Sequence, residues 1–323
     1  MAPRSVFVTG AAGFIGRTVA QRYRSHGAEV RGVDVVADEA AGVVAGDVAE
    51  AGPWQDHAAG CDLLVHTAAI VNNSAPLARC WEVNVLGVRR ALDAAVAGGV
   101  GRVVHLSSVR AFSDLDFPDG VDESHPVRPD GHRYVDTKVA SEQVALQAHA
   151  AGEVDVTVIR PGDVYGPGSI PWTLWPVTGM ASGAFVVPDD GSGIFSPVYV
   201  DNLVDAIVAA AELPEAAGQV FTVSDGVGVT NAAFFGRYAA MLGIDLPMLP
   251  ADEVRERFQA IEEADRAAGR PPGLNAETVD YFLRTGTYSI AKARRVLGYE
   301  PRVDLDEGMA RTEAWLREVG LLG

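Results

Sequence analysis

Three glycines spaced Gly10-x-x-Gly13-x-x-Gly16, directly behind the apolar run Val6-Phe7-Val8, constrain this chain more than any other feature. A run that short, without alternation, suits a strand buried on both faces of a parallel sheet. The segment Arg17 to Ser25 that follows is compatible with a helix. Each glycine answers a different steric demand in a strand–turn–helix unit. Gly10 lets the chain turn tightly off the strand, Gly13 leaves room for backbone N–H groups to approach a pyrophosphate, and Gly16 lets the helix lie close on the sheet. The unpaired donors of the helix N-terminus then face the phosphates. A second apolar strand, Glu29 to Val33, ends in Asp34, about twenty residues past the glycines, where an acid would hold the adenosine ribose hydroxyls. A tight turn that binds nothing is the plainer alternative; the strand, helix and acid around it argue for a dinucleotide.

Strands and helices alternate onward from there, the pattern of a doubly wound parallel sheet. Gly42 to Ala45, Asp62 to His66, Arg102 to Ser107 and Val154 to Ile159 read as strands, and about Ala75 to Gly98 and Tyr134 to Ala151 as helices. Ser113 to Arg133 is a long polar loop, of the kind that is usually either functional or disordered. Past Arg160-Pro161-Gly162 the texture changes, with prolines and the apolar residues Trp172, Leu174, Trp175, Val177, Met180 and Phe185. Alternation resumes with a strand Ile194 to Val200, a helix Asp201 to Glu212 capped by Asp201, a strand Gln219 to Val223 and a helix Asn231 to Leu242. A charged helix Asp252 to Ala268 and the pair Pro271-Pro272 precede a last helix, Leu305 to Val319. The expected architecture is α/β. Residues 1–161 form a Rossmann-type nucleotide-binding unit to which 194–224 return, and 162–193 and 225–323 form a smaller, interleaved substrate lobe.

Composition limits the partners. A formal net charge of −17 over 323 residues argues against nucleic acid and against an anionic membrane surface. Cys61 and Cys80 are too few for a disulfide framework and lack metal or redox spacing, and Cys61 reads as a small core residue. His66, His105, His125 and His132 show no metal spacing either, so no metal is expected. No apolar run reaches the roughly 18 residues of a membrane span. The N-terminus leads straight into the first strand, so the cytoplasm is the expected compartment.

Tyr134 and Lys138 are four residues apart, hence one turn apart on one helix face. A free phenol, with a pKa of about 10, is a poor base at neutral pH; an ammonium beside it and a positively charged nicotinamide ring would favour the phenolate. Lowering the pKa by about three units takes roughly 4 kcal/mol. Ser108, at the carboxyl end of the strand before, could orient a substrate oxygen. Tyr-x-x-x-Lys alone is as readily a solvated surface pair; its place after a strand ending in hydroxyls gives it weight.

With these residues assembled, the chain resembles an extended short-chain dehydrogenase/reductase, the superfamily of sugar-nucleotide epimerases, dehydratases and 3β-hydroxysteroid dehydrogenases. The resemblance covers essentially the whole sequence: Thr9-Gly10-x-x-Gly13-x-x-Gly16, Asp34, Asp47-Val48, His66-Thr67-Ala68-Ala69, Asn84, Ser107-Ser108, Tyr134-x-x-x-Lys138, Arg160-Pro161-Gly162, Tyr165-Gly166-Pro167-Gly168 and Tyr199-Val200-Asp201-Asn202. It implies a catalytic set of Ser108, Tyr134 and Lys138, with Tyr134 as acid/base. Ser107 is the weaker candidate for the catalytic hydroxyl, and Asn84 is expected to support the fold. Asp34 would hold the adenosine ribose and Asp47-Val48 the adenine. Phe14, Ile15, Ala68, Ala69, Pro161 and Val164 would line the cofactor, and Lys138 would also bind the nicotinamide ribose. Asp34 would repel a 2′-phosphate, which favours NAD over NADP; Arg17 and Arg31 are the side chains that could reach such a phosphate.

Departures from the pattern bear on substrate. Sugar-nucleotide enzymes usually carry an asparagine soon after Arg-Pro and an arginine before Tyr-Val-Asp; here stand Gly162-Asp163 and Phe195-Ser196-Pro197. A diphosphate needs donors or cations, which these residues do not offer. Arg160 to Gly168, Pro197 to Asn202 and Tyr288 to Tyr299 resemble the 3β-hydroxysteroid and sterol dehydrogenase branch, and the apolar residues from Trp172 to Phe185 would suit a flat, greasy ligand. The resemblance thus implies an NAD-dependent dehydrogenase of a small apolar alcohol or ketone. It also implies a homodimer built on the helices starting near Ala75 and Tyr134. The rivals are a sugar-nucleotide epimerase or dehydratase and a non-catalytic dinucleotide sensor.

Overall fold

The computed structural model describes residues 2–71, 74–115, 118–270, 272 and 274–323. Its centre is a sheet of seven parallel strands: β1 (Ser5–Thr9), β2 (Glu29–Asp34), β3 (Val43–Ala45), β4 (Leu63–His66), β5 (Arg102–Leu106), β6 (Asp155–Pro161) and, returning much later, β11 (Val220–Val223). Their order across the sheet is β11-β6-β5-β4-β1-β2-β3. Side chains along a strand alternate between faces, so each strand feeds two cores. Val6 and Val8 pack with Val19, Ala20 and Tyr23 of α1 (Phe14–Ser25) and with Leu203, Val204 and Ile207 of α6 (Val200–Glu212). Phe7, Leu64 and Val103 pack on the other face with Ala91, Leu92 and Ala95 of α3 (Gly87–Gly98) and Ala145 and Ala148 of α4 (Arg133–Ala150). Burial on both faces accounts for apolar runs without polar alternation, and the fold is a Rossmann-type doubly wound α/β structure.

Strand order reverses between β1 and β4. The chain leaving β1 turns toward one side of the sheet and the chain leaving β4 toward the other, and a crevice opens between them at the carboxyl ends of the strands. Everything described below lies along that crevice.

The elements outside the seven-stranded sheet and the helices on its faces include β7 (Asp163–Tyr165), α5 (Trp175–Ala181), β8 (Val187–Pro188), β9 (Ile194–Phe195), β10 (Pro197–Tyr199), β12 (Val229–Thr230), α7 (Asn231–Leu242), β13 (Met248–Leu249), α8 (Ala251–Ala267), α9 (Glu277–Phe282) and α10 (Leu305–Glu318). Several of these depart from expectation. The strand anticipated over Ile194 to Val200 is two strands. Ser196, between them, gives its amide to an Asp163 carboxylate oxygen at 2.9 Å, so β9 pairs with β12 and β10 with β7. The helix expected from about Ala75 starts as α2 (Leu77–Trp81) and passes through a π-helical turn, Glu82–Leu86, before α3. Asn84 in that turn bonds both backbone groups of Ile70 (2.7 and 3.0 Å) and the Thr137 hydroxyl (3.1 Å). Asp201 does not cap α6: it lies inside the first turn and pairs with Arg22 and Arg311 at 3.7 and 3.4 Å. The 113–133 loop, of which 116 and 117 lie outside the described residues, is tied down through Val121, which exchanges backbone bonds with Thr287 and Ser289. Pro271 also lies outside the described residues. Among the described residues no helix is long and apolar enough to cross a membrane.

Candidate active site

At the turn after β1, Gly10 adopts a left-handed φ of 69°. A Cβ there would also strike the backbone nitrogen of Ala68 at 2.8 Å. A Cβ at Gly16 would lie 2.1 Å from the Gly10 carbonyl oxygen, so only glycine lets α1 begin this close to the turn. No side chain caps α1, which leaves its first-turn amides open to the crevice that Gly13, Phe14 and Ile15 line. Asp34 sits beside this turn, its two oxygens accepting from the Val35 amide at 2.7 Å and the Ala12 amide at 3.0 Å. Pinned in this way, a carboxylate keeps one orientation toward the cleft. These features fit the phosphates and ribose of a dinucleotide.

The crevice encloses about 510 Å³, within the usual range for ligand sites. Gly10, Gly13, Phe14, Ile15, Gly16, Asp34, Asp47, Val48, Ala68, Ala69, Ser108, Tyr134, Lys138, Pro161 and Val164 all line it. The two arginines considered for a 2′-phosphate do not. Arg17 donates to the Ala12 carbonyl at 2.8 Å, and Arg31 binds Glu29 at 2.7 Å and the Ala59 carbonyl at 3.0 Å. The cation that does line this end is Arg79, ion-paired with Asp47. Nothing in its spacing marked it, because its position depends on the ion pair with Asp47, distant in sequence.

At the far end α4 presents Tyr134 and Lys138 on one face, 8% and 3% exposed. Lys138 Nζ donates to the Leu106 carbonyl at 2.8 Å and stands 5.7 Å from the centre of the Tyr134 ring. Ser108 caps the 3₁₀ turn Val109–Phe112, accepting from the Arg110 amide at 3.2 Å, and its hydroxyl lines the same cleft as the Tyr134 phenol. Ser107 is engaged elsewhere, donating to Glu142, which also grips Arg160 at 2.6 and 2.8 Å.

The phenolate is expected from Lys138 and a nicotinamide ring acting together, and the protein's own groups do not produce it. Burial pushes Tyr134 above its ordinary value, and Arg110 and the Ser108 hydroxyl only partly draw it back. Asp114 and Asp163 push it further up. The physical reason is that a phenol enclosed by protein loses more hydration than the chain's own cations return. Burial also brings the Lys138 ammonium down to about 8, with Glu142 opposing. Arg110, which the sequence reading did not single out, lines the cleft with its guanidinium carbon 5.0 Å from the Tyr134 ring centre.

Ile170, Pro171 and Trp172 also line the cleft, as do Asp163 and Arg110. Of the apolar residues expected to meet a ligand, Val177, Met180 and Phe185 are instead buried in the core. Only Trp172 of that group reaches the cleft, stacked on Tyr281 with ring centres 5.5 Å apart. The histidines serve the interior. His66 shares a 2.8 Å bond with Thr9, His105 a 3.1 Å bond with Ser141, and burial drives His66 down to about 3. His132 is raised to about 10 by the carboxylates of Asp114 and Asp130, 3.3 and 3.4 Å from its Nδ1. The ligand atoms of these three lie within 4.8 Å of one another, but their charges are already paired among themselves and with Arg110.

The chain is similar to known proteins over most of its length. The profile of the NAD dependent epimerase/dehydratase family matches residues 6–224. A 4-hydroxy-2-methyl-3-oxo-4-farnesyl-3,4-dihydroquinoline-1-oxide ketoreductase of Stigmatella aurantiaca is 30% identical over 98% of this chain and 97% of its own. A UDP-glucose 4-epimerase of Mycolicibacterium smegmatis is 29% identical over 96% and 97%. A 3-beta-hydroxysteroid dehydrogenase of Mycolicibacterium neoaurum is 28% identical over 94% and 89%. Among solved structures, a double mutant of DesIV, a dTDP-glucose 4,6-dehydratase of Streptomyces venezuelae crystallised with NAD, superposes with a TM-score of 0.77 at 27% identity, covering 97% of each chain.

Proposed function

The chain belongs to the NAD-dependent epimerase/dehydratase family, and from that premise we propose that it oxidises a secondary alcohol of an apolar substrate, of the 3β-hydroxysteroid or sterol class, or reduces the corresponding ketone. The observation that carries this reading is that Ser108, Tyr134 and Lys138 open onto one cleft whose other end is the glycine turn. Gly10, Gly13 and Gly16, with the Phe14 and Ile15 amides, hold the pyrophosphate of NAD, Asp34 its adenosine ribose, and Asp47 and Val48 the adenine. Ala68, Ala69, Pro161 and Val164 flank its middle, and Lys138 holds the nicotinamide ribose. NAD held there would supply the hydride acceptor for the carbinol carbon, and NADH the donor for the ketone. The Tyr134 phenolate oxygen accepts the hydroxyl proton, while Ser108 Oγ donates to the same substrate oxygen and fixes its place.

An apolar substrate is favoured by the wall of Ile170, Pro171 and Trp172. It is favoured too by how the two diphosphate-gripping positions are used. Asp163 is spent on Ser196 and Tyr281, and Phe195 is wholly buried among aromatic rings. The ketoreductase relative, whose named substrate carries a farnesyl chain, points the same way. A sugar-nucleotide substrate is the second reading, favoured by the comparable identity to the epimerase. Residues 162–193 and 225–323 are read as the substrate lobe, and the active species as a homodimer.

The test is an absorbance assay of NADH with hydroxysteroids and UDP-sugars as separate panels. Hydroxysteroids reduce NAD, UDP-sugars do not, and Tyr134→Phe lowers kcat by about 10²–10⁴-fold with NAD affinity changed only a few-fold. Turnover of UDP-sugars alone would replace the substrate assignment, and ordinary activity in Tyr134→Phe would end the mechanism.

A further inference from the structure

Two side-chain cations flank the Tyr134 ring, and family resemblance supplied only one of them. Lys138 Nζ is 5.7 Å from the ring centre; the Arg110 guanidinium is closer, at 5.0 Å. Arg110 follows Ser108 by two residues, on the 3₁₀ turn that Ser108 caps. Its Nε donates to both oxygens of Asp114, at 2.9 and 3.0 Å, and Nη2 joins the same carboxylate. Asp114 is 2% exposed and is itself held by His132 Nδ1 at 3.3 Å. On its other side the guanidinium stands 5.1 Å from the Tyr281 ring of α9. That ring lies under Arg284 at 3.6 Å, and its hydroxyl bonds Asp163. Arg110 is therefore wedged between a tyrosine of α4 and a tyrosine of α9.

A guanidinium held this way differs from the neighbouring ammonium. It stays charged at every pH the protein meets, and its planar fork is locked in one orientation by the carboxylate. We propose that Arg110 is a positioning residue of the reaction: clamped by Asp114 between the Tyr134 and Tyr281 rings, it fixes the phenol at the cleft and sets a permanent positive charge against it. The inference rests on Tyr134 being the proton acceptor. Among the described residues, the charged groups that act on that phenol are Lys138 from α4, Arg110 from the 3₁₀ turn, Asp114 from the loop after it and Asp163 from β7. Arg110 and Asp114 act on it with opposite sign, which gives the inference its handle.

The experiment titrates the phenol itself, so it does not depend on knowing the alcohol. Full-length protein labelled with [¹³Cζ]tyrosine is saturated with NAD and followed by NMR against pH; the Tyr134 resonance is the one missing from Tyr134→Phe. Arg110→Met, which leaves Asp114 facing the phenol uncompensated, raises its midpoint by about one pH unit or more, a tenfold loss of phenolate at fixed pH. Asp114→Asn lowers the midpoint. A purely structural role predicts no such opposition. Midpoints unmoved, or moving the same way in both variants, overturn the inference. So does a wild-type phenol still protonated at about pH 11 with NAD bound. Should Arg110→Met fail to fold, Asp114→Asn decides alone, and a midpoint that stays or rises counts against the inference. Ordinary turnover by Tyr134→Phe would sink the proposed mechanism while leaving this titration readable.

Discussion

At the scale of single residues, burial governs this site more than pairing does. His66 is the clearest case. Enclosed in the sheet with one bond to Thr9, it resists protonation until about pH 3, against an ordinary 6.5. Between those values the unfolded chain binds a proton that the folded chain refuses, so stability falls as pH falls, by about 1.4 kcal/mol per pH unit. His105 acts in the same direction. His132, raised to about 10, acts oppositely: its contribution is complete below 6.5 and fades as pH climbs toward 10. Urea unfolding of His66→Asn between about pH 6 and 4.5 should show a slope shallower than wild type by about 1.4 kcal/mol per pH unit; equal slopes would mean that His66 titrates normally. These environments were not legible in the sequence. Spacing places Tyr134 and Lys138 on one face of a helix, and their convergence with Ser108 follows from the strand before. Arg110 and Arg79 acquire their positions only from packing, Arg110 against Tyr281, some 170 residues further along.

At the scale of elements, legibility follows how local the deciding interaction is. Helix α7 occupies the span its pattern indicates because both ends are set nearby, by Thr230 accepting from the Ala233 amide at 3.1 Å and by left-handed Gly243. The break between β9 and β10 is set by Asp163, distant in sequence, and the π turn before α3 by Asn84 reaching Ile70; no periodicity announces either. The same contrast separates two glycines. Gly16→Ala forces a Cβ to 2.1 Å from a backbone oxygen that cannot yield, and should cost about 1–3 kcal/mol together with NAD affinity. Gly236→Ala, inside α7 with nothing within 4 Å, should instead add about 0.5–1 kcal/mol. Calorimetric melting of both variants, with and without NAD, checks the pair; similar shifts in the two would contradict the packing at the glycine turn.

At the scale of the whole molecule, a chain this acidic still exposes Leu77, Trp81 and Leu86 along α2 and the turn into α3, each more than 40% accessible. Water does not favour that many large apolar side chains on one helical segment, and a second copy is the covering that family resemblance suggests. Light scattering should give twice 34.0 kDa, and Trp81→Glu with Leu77→Glu should return the protein to one chain per particle; a wild-type monomer would remove the dimer. The arrangement of the sheet has a consequence for how the protein comes to exist. β6 ends at Pro161, but its outer neighbour β11 begins only at Val220, after β7, α5, β8, β9, β10 and α6 have been made. Until then a nascent chain on the ribosome presents β6 as a bare, sticky edge, and the seven-stranded sheet can close only after the segment between Pro161 and Val220 has left the ribosome. Birth order thereby ties the sheet to that segment before any ligand does.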